Sequence, residues 1–203
     1  MQTFKSVFDG NCEFLAGAQD IEQIPAFNVI VPEVAFIGRS NVGKSSLINA
    51  ITGVDGLAKV SKTPGRTQQI NFFSLNKHAI LADLPGYGFA SVSKKMRKQW
   101  DGLILDYLTG RQQLRRAFLL IDSRRGIMST DDQVMKILDD AAVSYQIVLT
   151  KIDEIKDKDS IVAKVKENVE KYIAVHPDIL ITSSAKNIGI KDIQKTIMDF
   201  INE

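Results

Sequence analysis

The sequence of 203 residues contains one cysteine, Cys12, and two histidines, His78 and His176. A lone thiol forms no internal disulfide, which fits a reducing compartment, so a cytoplasmic location is expected and Cys12 reads as a buried or incidental thiol. With no Cys/His cluster at ligand spacing, no zinc site is expected. Long hydrophobic runs are also missing. The stretch Ala117 to Ile121 is far too short to span a bilayer, and Met1-Gln2-Thr3-Phe4-Lys5 has neither the basic start nor the apolar core of a secretory signal. There is no internal repeat, low-complexity tract or Pro/Gly/Ser-rich linker, and the length suits one domain with a full core better than two. A composition of 44% hydrophobic and 25% charged residues is ordinary for a folded chain, and the net charge is only +2.

That small net charge is unevenly spread. Between Leu84 and Arg125 stand nine basic residues (Lys94, Lys95, Arg97, Lys98, Arg111, Arg115, Arg116, Arg124 and Arg125) against three acidic ones, Asp101, Asp106 and Asp122. From Gly126 onward the balance reverses, with fourteen acidic and ten basic residues. One region can therefore present a positive field on a nearly neutral molecule.

Short apolar runs alternate with segments of helical period. Strands are predicted at Glu33–Ile37, Ile70–Leu75, Ala79–Asp83, Ala117–Asp122, Tyr145–Thr150 and Ile179–Thr182, and helices at Lys44–Thr52, Lys94–Leu108, Thr130–Ala141, Ser160–Ala174 and Ile190–Asn202. This order implies an α/β fold with a mostly parallel sheet and helices on both faces. Asn76-Lys77-His78 is of hairpin length and too short for a crossover helix, so one strand should run antiparallel. Residues 1–30 read as an N-terminal extension packed on a domain spanning 31–203. Trp100 and Tyr107, a helical distance apart, read as core.

Gly38-Arg39-Ser40-Asn41-Val42-Gly43-Lys44-Ser45 matches G-x-x-x-x-G-K-[ST]; average residue usage makes a chance match in such a chain on the order of one per cent. The run Val34-Ala35-Phe36-Ile37 precedes it and a helical segment beginning Ser45-Ser46-Leu47 follows, the context the motif needs. Curled backbone amides and a helix N-terminus then face one anion. Lys44 can reach β- and γ-phosphates, and the Ser45 hydroxyl can ligate Mg²⁺. Asp83-Leu84-Pro85-Gly86 supplies D-x-x-G at a strand's carboxyl end: Asp83 to orient a Mg²⁺-bound water, and the Gly86 amide to sense the γ-phosphate. The polar loop Ser61-Lys62-Thr63-Pro64-Gly65-Arg66-Thr67-Gln68 lies between, with Thr67, or Thr63 on spacing alone, as the threonine that closes on the metal.

Thr150-Lys151-Ile152-Asp153 fits the [NT]-K-x-D pattern of guanine readers. The Asp153 carboxylate can accept from guanine N1–H and N2–H₂, which adenine cannot match, while the Lys151 stem covers the purine plane. Ser183-Ser184-Ala185-Lys186 after the next strand offers amides, that of Ala185 above all, to guanine O6. The ligand set is thus GTP or GDP with Mg²⁺. A P-loop ATPase or small-molecule kinase is the reading these two loops oppose.

Taken together, these motifs make the chain look like a translation-factor-class small GTPase. Over about Pro32 to Phe200 it is similar to the EngB family, also called YihA or YsxC, within the TrmE-Era-EngA-EngB-septin-like class. The distinctive stretches are Gly38 to Asn49, Thr63-Pro64-Gly65-Arg66-Thr67-Gln68 with Asn71-Phe72-Phe73, Asp83-Leu84-Pro85-Gly86-Tyr87-Gly88, and Thr150 in place of asparagine in the base motif. The resemblance implies a three-layer P-loop G domain with a six-stranded sheet, and it favours Thr67 as the switch threonine with Gly65 and Arg66 beside the nucleotide. It further implies a monomer acting in assembly of the large ribosomal subunit, touching rRNA and ribosomal proteins rather than DNA or membrane, with links to septation and the cell cycle.

Where many GTPases carry a water-orienting glutamine after D-x-x-G, this chain has Tyr87. Intrinsic hydrolysis should be slow, and the alternative of a nucleotide-dependent ribosome or RNA binding module with negligible hydrolysis stays open. For Asn41 two roles stand: holding a K⁺ that stimulates hydrolysis, or bracing the loop. Turnover in K⁺ against Na⁺ separates them. The basic stretch likewise reads either as a solvated helix face or as an rRNA contact coupled to the second switch.

Overall fold

The computed structural model describes residues 2–9, 11–26, 31–59, 69–87 and 94–203, with the backbone alone at 94–101. In chain order the elements are α1 (Phe4–Phe8), β1 (Cys12–Ala18), β2 (Glu33–Gly38), α2 (Lys44–Thr52), β3 (Ile70–Leu75), β4 (Ala79–Asp83), α3 (Lys94–Gly110), β5 (Leu114–Asp122), α4 (Ser129–Asp140), β6 (Tyr145–Thr150), α5 (Lys158–Val169), β7 (Leu180–Ile181) and α6 (Ile190–Asn202).

The central strand β2 is buried along its whole length because helices cover both of its faces. Its residues alternate between two cores. Val34 and Phe36 pack with Leu47, Ile48 and Ile51 of α2 and with Ile193 and Ile197 of α6. Ala35 and Ile37 face the other layer, with Leu103 and Tyr107 of α3, Met135 and Leu138 of α4 and Val165 of α5. Strands β2, β4, β5, β6 and β7 are mutually parallel, so their carboxyl ends meet at one edge. There the loops after β2, β4, β6 and β7 carry the predicted motifs. Among the described residues, no helix is long and apolar enough to cross a membrane.

The hairpin expected at Asn76-Lys77-His78 joins β3 to β4. Asn76 and Lys77 are both left-handed, at φ 47 and 63, and the His78 amide donates to Leu75 O at 2.9 Å. Two left-handed residues in sequence match the twist of the flanking strands. Among the described residues, strand β3 is the one that runs against the rest, but the sheet has seven strands in the order β1-β3-β4-β2-β5-β6-β7, not six. The added strand, β1, comes from residues 1–30 and pairs antiparallel with β3. It escaped sequence reading because a bulge between Phe14 and Ala16 breaks the period-two pattern and only Ala18 is fully buried. Partial burial there pushes the Cys12 thiol up to about 11, which disfavours the thiolate.

Two boundaries differ from expectation by three residues or more. β5 begins at Leu114 rather than Ala117, because Arg116 is accommodated within the strand: its guanidinium lies 5.0 Å from the Phe200 ring and donates to Gln146 Oε1 at 3.2 Å. α5 ends at Val169 rather than Ala174, because Asp139 of α4 takes the amides of Ile173 and Ala174 at 2.8 and 2.9 Å.

At the amino end of β2, the buried Glu33 carboxylate accepts from Arg111 Nε at 2.9 Å and from Tyr107 Oη at 3.2 Å, and pairs with Arg111 Nη2 at 2.7 Å. Removing one partner of a buried pair leaves an uncompensated charge. Arg111→Met should therefore lower unfolding stability by about 3–5 kcal/mol in denaturant melts; a change below about 1 kcal/mol would show that the pair is dispensable.

Candidate functional site

The loop after β2 is shaped by its backbone. Gly43 sits at φ 113, a conformation open to glycine, and forms the N-cap of α2 without any side-chain cap. The first-turn amides of α2, from Lys44 to Ser46, have no intrahelical acceptors and are available to an anion. Asn41 is also left-handed, at φ 61, and the Val42 amide closes a turn on Arg39 O at 3.2 Å.

Asp83 follows directly at the end of β4. Lys44 Nζ stands 3.8 Å from Asp83 Oδ1, and Ser45, the next residue, faces the same carboxyl closely enough to favour its charged form. Burial pushes the Asp83 carboxyl up, with Lys44 and Ser45 acting against that shift. Oδ1 is buried yet has no hydrogen-bond partner among the described residues. A buried carboxylate oxygen left open beside a serine hydroxyl has the oxygen-rich chemistry Mg²⁺ favours, so Ser45 and Asp83 fit that ion.

Leu84 and Pro85 lead into Gly86, with the Leu84 amide bonded to Phe36 O at 3.0 Å. Gly86 lies so close to the phosphate loop that an added Cβ would fall 2.8 Å from Ser40 Oγ and 3.1 Å from Ser40 Cα. Tyr87, at the glutamine position, is buried and donates its hydroxyl to Asp131 Oδ1 at 2.6 Å. Burial first, and then Asp131, raises the phenol well above its ordinary range, so it remains a protonated donor.

The loop after β6, expected to read the base, is attached to the loop after β2 by side chains. Thr150 Oγ1 donates to Val42 O at 2.7 Å. Lys151, left-handed at φ 58, sends Nζ to Asn41 O at 2.8 Å and to Asp122 Oδ2 at 2.9 Å. Burial pushes the Asp122 carboxyl up, but hydrogen bonds from Arg124 and Lys151 outweigh it and hold the group below the usual carboxylate range. Arg124 continues the network to Glu154 at 3.0 Å. Asp153, on the surface, is held below its ordinary range chiefly by hydrogen bonding with Ser183, helped by Lys186 and Lys158. Ser183 and Ile188 bond each other's backbones at 3.0 Å, closing a turn with Ser184, Ala185 and Lys186 inside it.

The structure thus brings together Gly38 to Ser46, Asp83 to Gly86, Thr150, Lys151, Asp153 and Ser183 to Ala185 at one edge of the sheet. Gly65, Arg66 and Thr67, with the alternative Thr63, lie outside the described residues, as do the side chains of Lys94, Lys95, Arg97, Lys98 and Trp100. Sequence reading missed Asp122 and Asp131, which no local motif marks. It also counted Arg111, Arg116 and Arg124 in one basic group, with Arg116 and Arg124 read as either solvated or RNA-facing, whereas all three are engaged within the fold, by Glu33, by Gln146 and Phe200, and by Asp122 with Glu154.

Residues 33–151 match the family model described as "50S ribosome-binding GTPase". A "Probable GTP-binding protein EngB" from Ruegeria sp. (strain TM1040) is 48% identical over 199 residues, covering 97% of this chain and 91% of the relative. Its counterpart from Rhodospirillum rubrum is 49% identical over 191 residues, covering 91% and 82%. Among solved structures, a probable GTP-binding protein engB superposes with a TM-score of 0.68 at 24% identity, over 84% of this chain and 98% of that one. A variant of Aquifex aeolicus Era bound to GDP·AlF4⁻ gives 0.62 at 21% identity, over 84% and 56%. The near-full-length identity to the curated relatives, on a P-loop GTPase fold with these loops at one sheet edge, shows that the chain belongs to the EngB family of GTP-binding proteins.

Proposed function

We propose that the chain is a cytoplasmic, Mg²⁺-dependent GTP-hydrolysing switch that acts in assembly of the large ribosomal subunit. The observation that carries the nucleotide reading is the pair of bonds from Thr150 and Lys151 to the carbonyls of Val42 and Asn41, at 2.7 and 2.8 Å. They put the base loop directly beside the phosphate loop, within reach of one nucleotide. In this reading the amides from Asn41 to Ser46 and the Lys44 ammonium bind the phosphates, and Asp153 and the Ala185 amide select guanine. Gly86 contacts the γ-phosphate. Ser45, Asp83 and Thr67 would hold Mg²⁺, which when bound would neutralise charge on the β- and γ-phosphates. The Tyr87 hydroxyl is committed to Asp131 and does not orient the attacking water, so intrinsic turnover is slow and a bound partner raises it. The ribosomal part of the reading is supported by the description of the matching family model. Lys94, Lys95 and Lys98, just after the second switch, are the basic residues assigned to rRNA.

Asp153→Asn should weaken GDP binding by about a hundredfold or more and improve binding of xanthosine diphosphate, whose extra oxygen needs a donor. Titration with both nucleotides checks this, and an unchanged preference removes Asp153 from the base site. Charge reversal at Lys94, Lys95 and Lys98 should weaken binding to isolated large subunits with a non-hydrolysable GTP analogue and flatten its salt dependence. Equal binding of variant and native protein across salt concentrations would refute the RNA assignment.

A further inference from the structure

Asp131 lies on α4, an element that contributes none of the nucleotide-facing residues described above. It is wholly buried, at 0% exposure. A carboxylate in that position is costly unless its oxygens are occupied, and both are. Oδ1 accepts from the Tyr87 hydroxyl at 2.6 Å, and Oδ2 accepts from the Met128 amide at 2.8 Å. The carboxylate is thus fixed to the start of its own helix on one side and to Tyr87 on the other.

Tyr87 in turn clasps the phosphate loop with its backbone. Its amide donates to Gly38 O at 3.3 Å, and its carbonyl accepts from the Ser40 amide at 3.2 Å, one bond on each side of Arg39. The preceding residue, Gly86, is the one packed against Ser40, where a Cβ would meet the Ser40 backbone at 3.1 Å. Four groups therefore form a continuous chain: the head of α4, the Asp131 carboxylate, the Tyr87 ring and the peptide next to Gly86.

We propose that Asp131 is a positioning residue for γ-phosphate recognition, holding Gly86 against the phosphate loop through the Tyr87 hydroxyl. This rests on the reading of Gly86 as the γ-phosphate contact. A bulky apolar pair at the two positions would fill the same volume and hold the fold as well, since burial is non-directional. A charge-assisted O–H···O⁻ bond adds direction. It sets where the ring lies, and the ring sets the Gly86–Tyr87 peptide, one Cα away from the Gly86 amide that is the γ-phosphate donor. GDP has no γ-phosphate, so the latch should matter to GTP and not to GDP.

The test uses the full chain with Tyr87→Phe, Asp131→Asn, the double variant and Gly86→Ala. Each is measured for affinity to GDP and to a non-hydrolysable GTP analogue with Mg²⁺, for kcat and for melting temperature. Tyr87→Phe keeps the ring in the core and removes only the hydroxyl. It should lower analogue affinity about tenfold relative to GDP, with GDP affinity held within about twofold, and should lower kcat. The double variant should lose no more selectivity than either single change, because both act through one bond. Parallel weakening of GDP and analogue, additive effects in the double variant, or a lower melting temperature with selectivity and kcat unchanged would each overturn the latch. Gly86→Ala separates the two levels. If it leaves the analogue-to-GDP ratio unchanged, the γ-phosphate reading of Gly86 fails and the latch with it. If it shifts that ratio and Tyr87→Phe does not, the latch alone fails.

Discussion

The Lys151 ammonium occupies a position that neither of the loops it joins can supply alone. Strands β2 and β6 are not neighbours; β5 lies between them, so their ends stand roughly 10 Å apart. Lys151 crosses that gap to the carbonyl of Asn41. Beneath it Asp122, in register with Thr150 at the end of β5, supplies the negative charge that makes a partly buried ammonium tolerable there. Thr150 adds a second, uncharged tie to Val42. A strand end that would otherwise be an independent loop is thereby set at a fixed distance from the phosphate loop. A nucleotide site requires that distance, because the ligand is a rigid ring joined to a charged tail.

The same logic of side chains crossing between strand ends explains what the sequence disclosed and what it did not. The phosphate loop, D-x-x-G and the base-reading loops were legible because each demands particular residues at close spacing: left-handed backbone at Gly43, a small residue where Gly86 meets Ser40, a carboxylate on a turn at Asp153. The hairpin at Asn76 was legible from its length alone. Asp122 and Asp131 were not. Each acts on a partner distant in sequence, Lys151 and Tyr87, and locally one looks like the polar end of a strand and the other like an ordinary acid in a helix's first turn. β1 was hidden because its bulge removes the alternation by which a half-buried strand is read.

Charge needed the structure most. In the sequence the basic residues from Lys94 to Arg125 form one group. In the fold that group divides. Arg111 neutralises a buried carboxylate, Arg116 packs its guanidinium over an aromatic ring, and Arg124 bridges the base-side acids. A run of like charge is a surface property only for those members that the interior does not claim, and the positive field available to an RNA partner is correspondingly narrower than the sequence count implies.

The central claim is that one ligand engages both loops joined by Lys151. Amide hydrogen exchange of the full chain, with and without GDP, tests it most directly. Protection should rise together in the amides from Asn41 to Ser46 and in those from Ser184 to Lys186, with the same dependence on GDP concentration. Protection of the phosphate loop alone, with the Ser184–Lys186 turn exchanging as in the free protein, would contradict the account.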